Sequence, residues 1–509
     1  MSSWTGGYVA DINYTYGFYR ELTPAVLTSA ALAKGLRAPN LGGPATYCEL
    51  GCGQGFSANL LAAANPNIEI YANDFLPSQI AWAQALAADA GTPNVNFSDA
   101  SFQEYIHDAS LPQFDFITLH GIYSWVSVEN RQAIVDFIAR KLKVGGLVYI
   151  SFNTLPGWAG AMPIRRLLVE HTGMTGGPLT MRIDKAIAFA DRMTEANAAY
   201  IRDTHGVKPR LEKMRSNSRS YLAHEYFNRD WTPFYFSDVA KDLSEAKLTY
   251  LGSAHLLDHI DGVNMTPQHQ AMLNEVADPV FRETVRDYLT LAQFRRDVFV
   301  RGPLTMNPLD AENGWRDLRL VLSIPREGFP LKVTGPLGEI NLHPETYNPI
   351  LDALASGPKT VEQLIANPVL KEFGWIRLQE AIKILIGSTH VQPCLDAKGD
   401  AKRAQRTKAF NAAVMKRARW SNELTTLASP VTGGGVPLDR FQQMFIVALQ
   451  EKQADPPAHV WSLIEAQGQK LLKEGATIET PEDNVAELRA RYAVFTTKSL
   501  PVLHQLGIV

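Results

Sequence analysis

The sequence predicts an α/β chain: a doubly wound parallel sheet, interrupted by a helical insertion and followed by further small units. Three observations carry that expectation. Between residues 45 and 152, five short β-compatible stretches alternate with helical ones, the pattern of a parallel sheet covered on both faces. The first stretch, 45–50, breaks at Gly51-Cys52-Gly53-Gln54-Gly55 into an Ala- and Leu-rich helix over 57–64 that stops at Asn65-Pro66. After Gly302-Pro303 the texture changes to short strands and short helices, which places a boundary there.

Composition bounds the function. The 509 residues are 46% hydrophobic and 20% charged, ordinary globular material for roughly three domains. A net charge of −3, from 49 basic and 52 acidic residues, gives no global field toward nucleic acid or an anionic membrane, and neither partner is expected. Cys48, Cys52 and Cys394 are too few for a disulfide scaffold and lack zinc spacing; they read as small core or loop residues of a reducing cytoplasm. Residues 1–10 carry no basic and apolar leader, and no apolar run approaches the roughly 18 residues of a membrane span, so a soluble, cytoplasmic chain is expected.

In chain order, Trp4, Tyr8, Tyr14, Tyr16, Phe18 and Tyr19 crowd the stretch before a helix over 24–36, as a lid or as an arm pinned to the domain. At the glycine loop, alternate glycines let the backbone approach a ligand and aim amides from a helix N-terminus. Its G-x-G-x-G spacing differs from the dinucleotide G-x-G-x-x-G, and Glu49 stands two residues ahead of it. The strand 68–73 closes on Asp74, 23 positions after Gly51, with Phe75 next. An acid there accepts from both ribose hydroxyls of a nucleoside, ahead of its other use as a cap for the helix 77–90. The strand 94–98 ends on Asp99-Ala100-Ser101. A fourth strand, 113–120, a helix over 128–142, and a turn at Gly145-Gly146 lead into a fifth strand, 147–152. Candidate residues thus fall repeatedly at strand carboxyl ends, where such sheets bind ligands.

Glu49 followed by Gly51, Gly53 and Gly55 resembles the first motif of class I S-adenosylmethionine methyltransferases. His120-Gly121-Ile122-Tyr123-Ser124-Trp125-Val126 and Asn153-Thr154-Leu155-Pro156-Gly157-Trp158 resemble bacterial members that carry a methyltransferase regulatory domain, the group that includes the rickettsial protein-lysine methyltransferases. Tyr221-Leu222-Ala223-His224-Glu225-Tyr226-Phe227, Pro233-Phe234-Tyr235-Phe236 and Leu427-Ala428-Ser429-Pro430-Val431-Thr432-Gly433 extend that resemblance over nearly the whole chain. It implies a Rossmann-like seven-stranded sheet, completed by a helix over 237–247 and strands over 248–256 and 294–300. The methyltransferase domain then occupies 1–160 and 236–303, around a helical regulatory insertion at 161–235. It also implies S-adenosyl-L-methionine as cofactor, held by Glu49, Gly51, Gly53, Gly55, Asp74, Phe75, Asp99, Ala100, Ser101 and His120, with adenine at 99–101.

Residues 304–395 read as a winged-helix-like module, with strands at 318–324 and 331–342 and helices at 344–355, 360–366 and 376–386. Its third helix offers Arg377 and Lys383 against Glu380, too little charge for phosphate neutralisation, so a protein-binding or substrate-orienting role stands ahead of DNA. Residues 396–509 form a helical C-terminal domain with helices at 438–450, 460–472 and 485–506. Its basic stretch, 396–419, reads as a solvated helix face, with an acidic partner surface as the alternative.

Methyl transfer from a sulfonium is an in-line displacement that needs alignment and no metal; the chain has no HExxH or paired CxxC. Tyr123, Trp125 and Trp158 can face a sulfonium or an acceptor ammonium, an attraction of about 0.5–2 kcal/mol, or can pack in the core. A lysine acceptor must arrive neutral, which costs ~4 kcal/mol near neutral pH, and His120 is the candidate to assist or to contact the methionine end. His120, Tyr123 and Trp125 are therefore the candidate catalytic residues, with a protein, lysine first, as acceptor. A small-molecule acceptor, or a cofactor-sensing protein without turnover, are the alternatives; a homodimer is compatible with all three.

Overall fold

The computed structural model describes residues 16–509, so Trp4, Tyr8 and Tyr14 of the aromatic cluster lie outside the described residues. One sheet organises the chain. Its strands are β1 (Ala45–Leu50), β2 (Ile68–Asn73), β3 (Val95–Ser98), β4 (Phe114–Leu119), β5 (Leu142–Asn153), β6 (Leu248–Ser253) and β7 (Phe294–Arg301), in the order β3-β2-β1-β4-β5-β7-β6. β1 to β5 run parallel, and β7 runs antiparallel to both β5 and β6. The strand order reverses between β1 and β4, and a crevice opens above that switch point. Burial on both faces explains why β1 is apolar without alternation: Tyr47, Cys48 and Leu50 are all buried, and the Tyr47 hydroxyl donates to Leu22 O (3.0 Å) while accepting from Thr118 Oγ1 (2.8 Å).

Gly145-Gly146 is not a turn before β5 but a bulge inside it. The strand begins at Leu142, and its register with β4 jumps from Phe114↔Leu142 to Phe116↔Leu147. The extra residues are absorbed at Gly145, whose φ of +80° suits glycine.

The Ala-rich helix Phe56–Ala64 is buried along its whole length. Ala58, Leu61 and Ala62 pack on the sheet, while Phe56, Leu60 and Ala63 lie under Phe410 and Val414 of the helix Asp400–Arg417. A helix sandwiched on two sides must be thin, which is why alanine dominates it. The segment 427–433 locks this contact: Asn65 Nδ2 donates to Gly433 O (2.7 Å) and Ser429 Oγ to Leu506 O (2.7 Å). The basic stretch is consequently more than a solvated face. Arg403 donates to Pro430 O (2.6 Å), Arg406 to Gly91 O (3.2 Å), and Arg417 pairs with Asp89 (2.8 Å), while Lys402, Lys408 and Lys416 stay exposed.

The 161–235 insertion is helical, from Met162–Met174 through Leu179–Glu195 and Val207–Ser216 to Arg219–Tyr226, around its own core of Ile164, Leu168, Ile183, Leu211 and Leu222. It rejoins the sheet where Thr232 N donates to Ser124 O (2.8 Å) and Phe234 N to Asn153 O (2.9 Å). In the 304–395 region, Arg319–Leu322 pairs with Lys359–Thr360 and Val391–Cys394, and Lys332–Gly335 forms a hairpin with Gly338–Asn341. Its helix Trp375–Gly387 packs into the sheet domain so closely that a Cβ on Gly387 would stand 2.6 Å from Leu257 N. Among the described residues no helix is long and apolar enough to cross a membrane.

Candidate active site

A cavity of about 1020 Å³ opens above the carboxyl ends of β1, β2 and β4, and its two walls are built differently. The first wall comes from the glycine loop and the strand ends. Gly51, at φ +69°, lies against Ile122, where a Cβ would come within 2.5 Å of Cδ1. Gly55, at φ +64°, would set a Cβ 2.6 Å from both Ala83 Cβ and Phe97 Cε1. The loop is therefore a cradle because side chains are excluded from it. Cys52 N donates to Asn73 O (2.9 Å) and Gly53 N to Asp74 Oδ2 (3.0 Å), which ties the loop to the end of β2.

Glu49 and Asp74 bring two carboxyl groups to adjacent strand tips. Asp74 Oδ1 also accepts from Leu76 N (3.0 Å); burial raises its pKa to about 6, against the pull of the Leu76 and Gly53 amides. Glu49 is 6% exposed, its Oε2 has no hydrogen-bond partner, and burial, then the nearby Asp74, raises its pKa to about 8. Asn73 donates from Nδ2 to Ala100 O (2.9 Å), and its buried Oδ1 is also without a partner. Two buried acceptors left unmet beside an open cavity fit a ligand that carries donors and positive charge.

At the tip of β4, His120 is held on two sides. Its Nδ1 lies 2.8 Å from the Tyr149 hydroxyl, and Tyr19 stacks on the ring with centroids 3.6 Å apart and planes 23° apart. Burial lowers its pKa to about 4, so the imidazole is neutral near pH 7. A base that weak takes no proton from an ammonium near neutral pH.

Of the residues singled out in the sequence, Glu49, Gly51, Gly53, Asp74, Phe75, Ala100, Ser101, His120 and Trp125 line the cavity. Gly55, Asp99 and Tyr123 do not. Gly55 packs beneath the loop, and Asp99 is exposed on the surface. Tyr123 is fully buried, with its hydroxyl donating to Asp242 Oδ2 (2.7 Å) and its ring against Phe234.

The second wall belongs to the insertion, and sequence reasoning did not place it in the site. Arg210, Lys213, Tyr221, His224, Glu225 and Tyr226 line the cavity opposite the strand ends. Arg210 joins this wall to the body: its guanidinium lies 3.9 Å from the centroid of Trp158, Nη2 donates to Gln293 Oε1 (2.8 Å) and Nη1 to the Tyr226 hydroxyl (3.3 Å). Trp158 Nε1 donates to Gln293 O (3.0 Å), which fixes the ring that receives it. The mix of tyrosines, histidine and glutamate in 221–227 was the available signal.

Comparison with known proteins agrees with this geometry. Residues 48–146 match a family profile described as "Methyltransferase domain", and residues 218–301 match one described as "Predicted methyltransferase regulatory domain". An uncharacterised protein of Synechocystis is 46% identical over 506 residues, covering 99% of this chain and all of its own length. An uncharacterised protein of Rickettsia prowazekii is 27% identical over 380 residues, 72% of this chain and 65% of its own. Among solved structures, PKMT2 from Rickettsia typhi in complex with AdoHcy superposes with a TM-score of 0.67 at 21% identity, over 97% of this chain and 98% of its own.

Proposed function

Since this chain belongs to the class I S-adenosylmethionine-dependent methyltransferases that carry a methyltransferase regulatory domain, we propose that it methylates protein side chains, with lysine as the acceptor. S-adenosylmethionine, when bound, supplies a methyl group on a positively charged sulfur. Glu49, Gly51, Gly53, Asp74, Phe75, Ala100, Ser101 and His120 are the residues proposed to hold it. Asp74 receives the ribose hydroxyls with the lone pairs not used by the loop amides, and the loop glycines admit the methionine portion. Glu49, which burial holds largely protonated near neutral pH in the empty site, gives up that proton as a cation settles above it and then lends negative charge without entering the displacement. Neutral His120, fixed by Tyr19 and Tyr149, adds no competing positive charge.

The observation that carries the protein acceptor is the second wall's position. His205, Gly206, Pro209 and Lys213 line the cavity and are also exposed, so its rim lies on the surface of the insertion. A long side chain can enter there while its own backbone stays outside. Tyr221 and Tyr226 bring aromatic rings to the cavity for an incoming cation, and Glu225 and Asp230 lie on the same wall. The acceptor loses its proton to solvent along this rim before it reaches the dry end of the cavity, and the reaction then depends on alignment. R. typhi PKMT2, similar in fold along nearly its whole length, supports the same acceptor class.

The test is transfer of labelled methyl from the cofactor into a lysate of the source organism, with the labelled product sequenced by mass spectrometry. Label on lysine side chains of proteins is the expected result; label confined to small molecules overturns the acceptor class.

A further inference from the structure

The 304–395 module does not reach the cavity, yet one short turn connects the two. Tyr19 precedes the 3₁₀ turn Arg20–Leu22, and its ring is the one stacked on His120. In so tight a turn successive side chains diverge, so neighbours in sequence reach different parts of the molecule. Arg20 turns toward the module: Nε donates to Gln392 Oε1 (2.6 Å) and Nη2 to Ile386 O (2.9 Å). Glu21 turns to the sheet and pairs with Arg296 of β7 at 3.3 Å. Leu22 is fully buried, and its carbonyl accepts from the Tyr47 hydroxyl.

We propose that Arg20 is a positioning residue for methyl transfer: by anchoring the turn to the module, it holds Tyr19 against His120, so that the module shapes the cofactor cavity from outside. Stabilising the fold alone does not require a guanidinium here. Leu22 and the buried helix Pro24–Ala33 already secure the turn, and an apolar side chain would fill the space of Arg20 without the cost of desolvating a charge. That cost is real, since burial lowers the Arg20 pKa to about 10 and leaves Nη1 without a partner. What the guanidinium adds is direction, through two bonds to two different elements of the module. This role does not rest on the identity of the acceptor; it concerns the cofactor end of the cavity.

The experiment is a double-mutant cycle on the full chain, with S-adenosylmethionine affinity by calorimetry, kcat and KM for the cofactor, and Tm as a control. Arg20→Met is expected to bind the cofactor about tenfold more weakly, through KM more than kcat, with the fold intact. Tyr19→Ala is expected to lose at least as much, and the double variant no more than Tyr19→Ala alone, because Arg20 acts through Tyr19. Losses that multiply in the double variant, or wild-type affinity in a folded Arg20→Met, overturn the proposal. Should Arg20→Met fail to fold, Gln392→Leu removes one anchor only; about a threefold loss that vanishes in the Tyr19→Ala background supports the proposal, and unchanged affinity overturns it.

Discussion

The two walls of the cavity do related work with different means. The strand-end wall is set by backbone: a sheet register, a loop whose glycines hold positive φ, and amides tied to Asp74. The insertion wall is set mainly by side chains: a guanidinium on an indole, whose N–H is held by the main-chain carbonyl of Gln293, and a separate small core behind them. Backbone walls tolerate almost no change of shape, because an added atom meets a neighbour at once. Side-chain walls lose one contact at a time.

The contrast is broken most easily at the glycines. Gly51→Val places a branched side chain where Ile122 already lies within 2.5 Å of a Cβ, on a backbone at φ +69°. The expected result is loss of cofactor binding with ~3 kcal/mol of destabilisation, read by calorimetry and chemical denaturation. Gly53→Ala sharpens the point, since its Cβ would meet nothing closer than Gln79 Oε1 at 3.6 Å. It should lose only the ~1 kcal/mol that alanine costs at φ +54°, yet bind the cofactor at least tenfold more weakly, because the new methyl occupies the cradle. Wild-type binding by both variants would mean that the loop is not where the ligand lies.

The carboxyl pair comes next. Glu49 and Asp74 have pKa values raised to about 8 and about 6 by burial, so the folded chain holds protons that the unfolded chain, with ordinary carboxyl groups, releases above roughly pH 4. The folded state therefore binds more protons across that window, and its stability falls as pH rises from about 4 to about 8, then levels off. Glu49→Gln removes this penalty, so its Tm should exceed that of wild type by a margin that grows between pH 5 and pH 9. A cationic ligand reverses the preference: affinity for S-adenosylmethionine should rise with pH through the same range in wild type and lose its upper step in Glu49→Gln. A pH-independent affinity in wild type would remove Glu49 and Asp74 from the site. Asp74→Ala, at a fixed pH above 8, is expected to lose about a hundredfold in affinity.

What could be read from the sequence follows the same division. The strand-loop-helix of 45–64, Asp74 and the crevice at the strand tips were legible because glycine spacing and strand periodicity are local and backbone-encoded. The Gly145-Gly146 bulge was not, because a glycine pair signals a turn or a bulge equally until the partner strand is known. Nor was the burial of the helix Phe56–Ala64 under Asp400–Arg417, a contact between segments more than 300 residues apart whose basic side chains advertise solvent while their stems and neighbours pack. The insertion wall was missed for the same reason: Arg210 reads as a surface charge until Trp158, 52 positions earlier, is placed beneath it.

On the insertion wall the expected effects are smaller. Arg210→Ala removes a stacked cation and two hydrogen bonds at a half-exposed position, and Lys213 remains beside it. It should change kcat/KM for the acceptor by about fivefold, near 1 kcal/mol, with cofactor affinity unchanged. A drop in cofactor affinity instead would show that the two walls are not separable.

The smallest effect is expected at Tyr123, which the sequence nominated alongside Trp125 and which the fold removes from the cavity. Its side chain is fully buried and its one polar atom is satisfied by Asp242, on the helix Phe236–Ser244 that packs behind the sheet. Tyr123→Phe keeps the ring on Phe234 and deletes the hydroxyl, so it should cost ~1 kcal/mol of stability, part of it from an Asp242 left short of a donor, while kcat and both KM values stay at wild type. Trp125, two residues on, does line the cavity and packs against Trp231 of the insertion at 6.2 Å, so Trp125→Phe should raise the acceptor KM without lowering Tm by more than Tyr123→Phe does. If Tyr123→Phe instead loses turnover at unchanged Tm, its hydroxyl serves the reaction, and the division between a packed Tyr123 and a cavity-facing Trp125 fails at the point where it was drawn most finely.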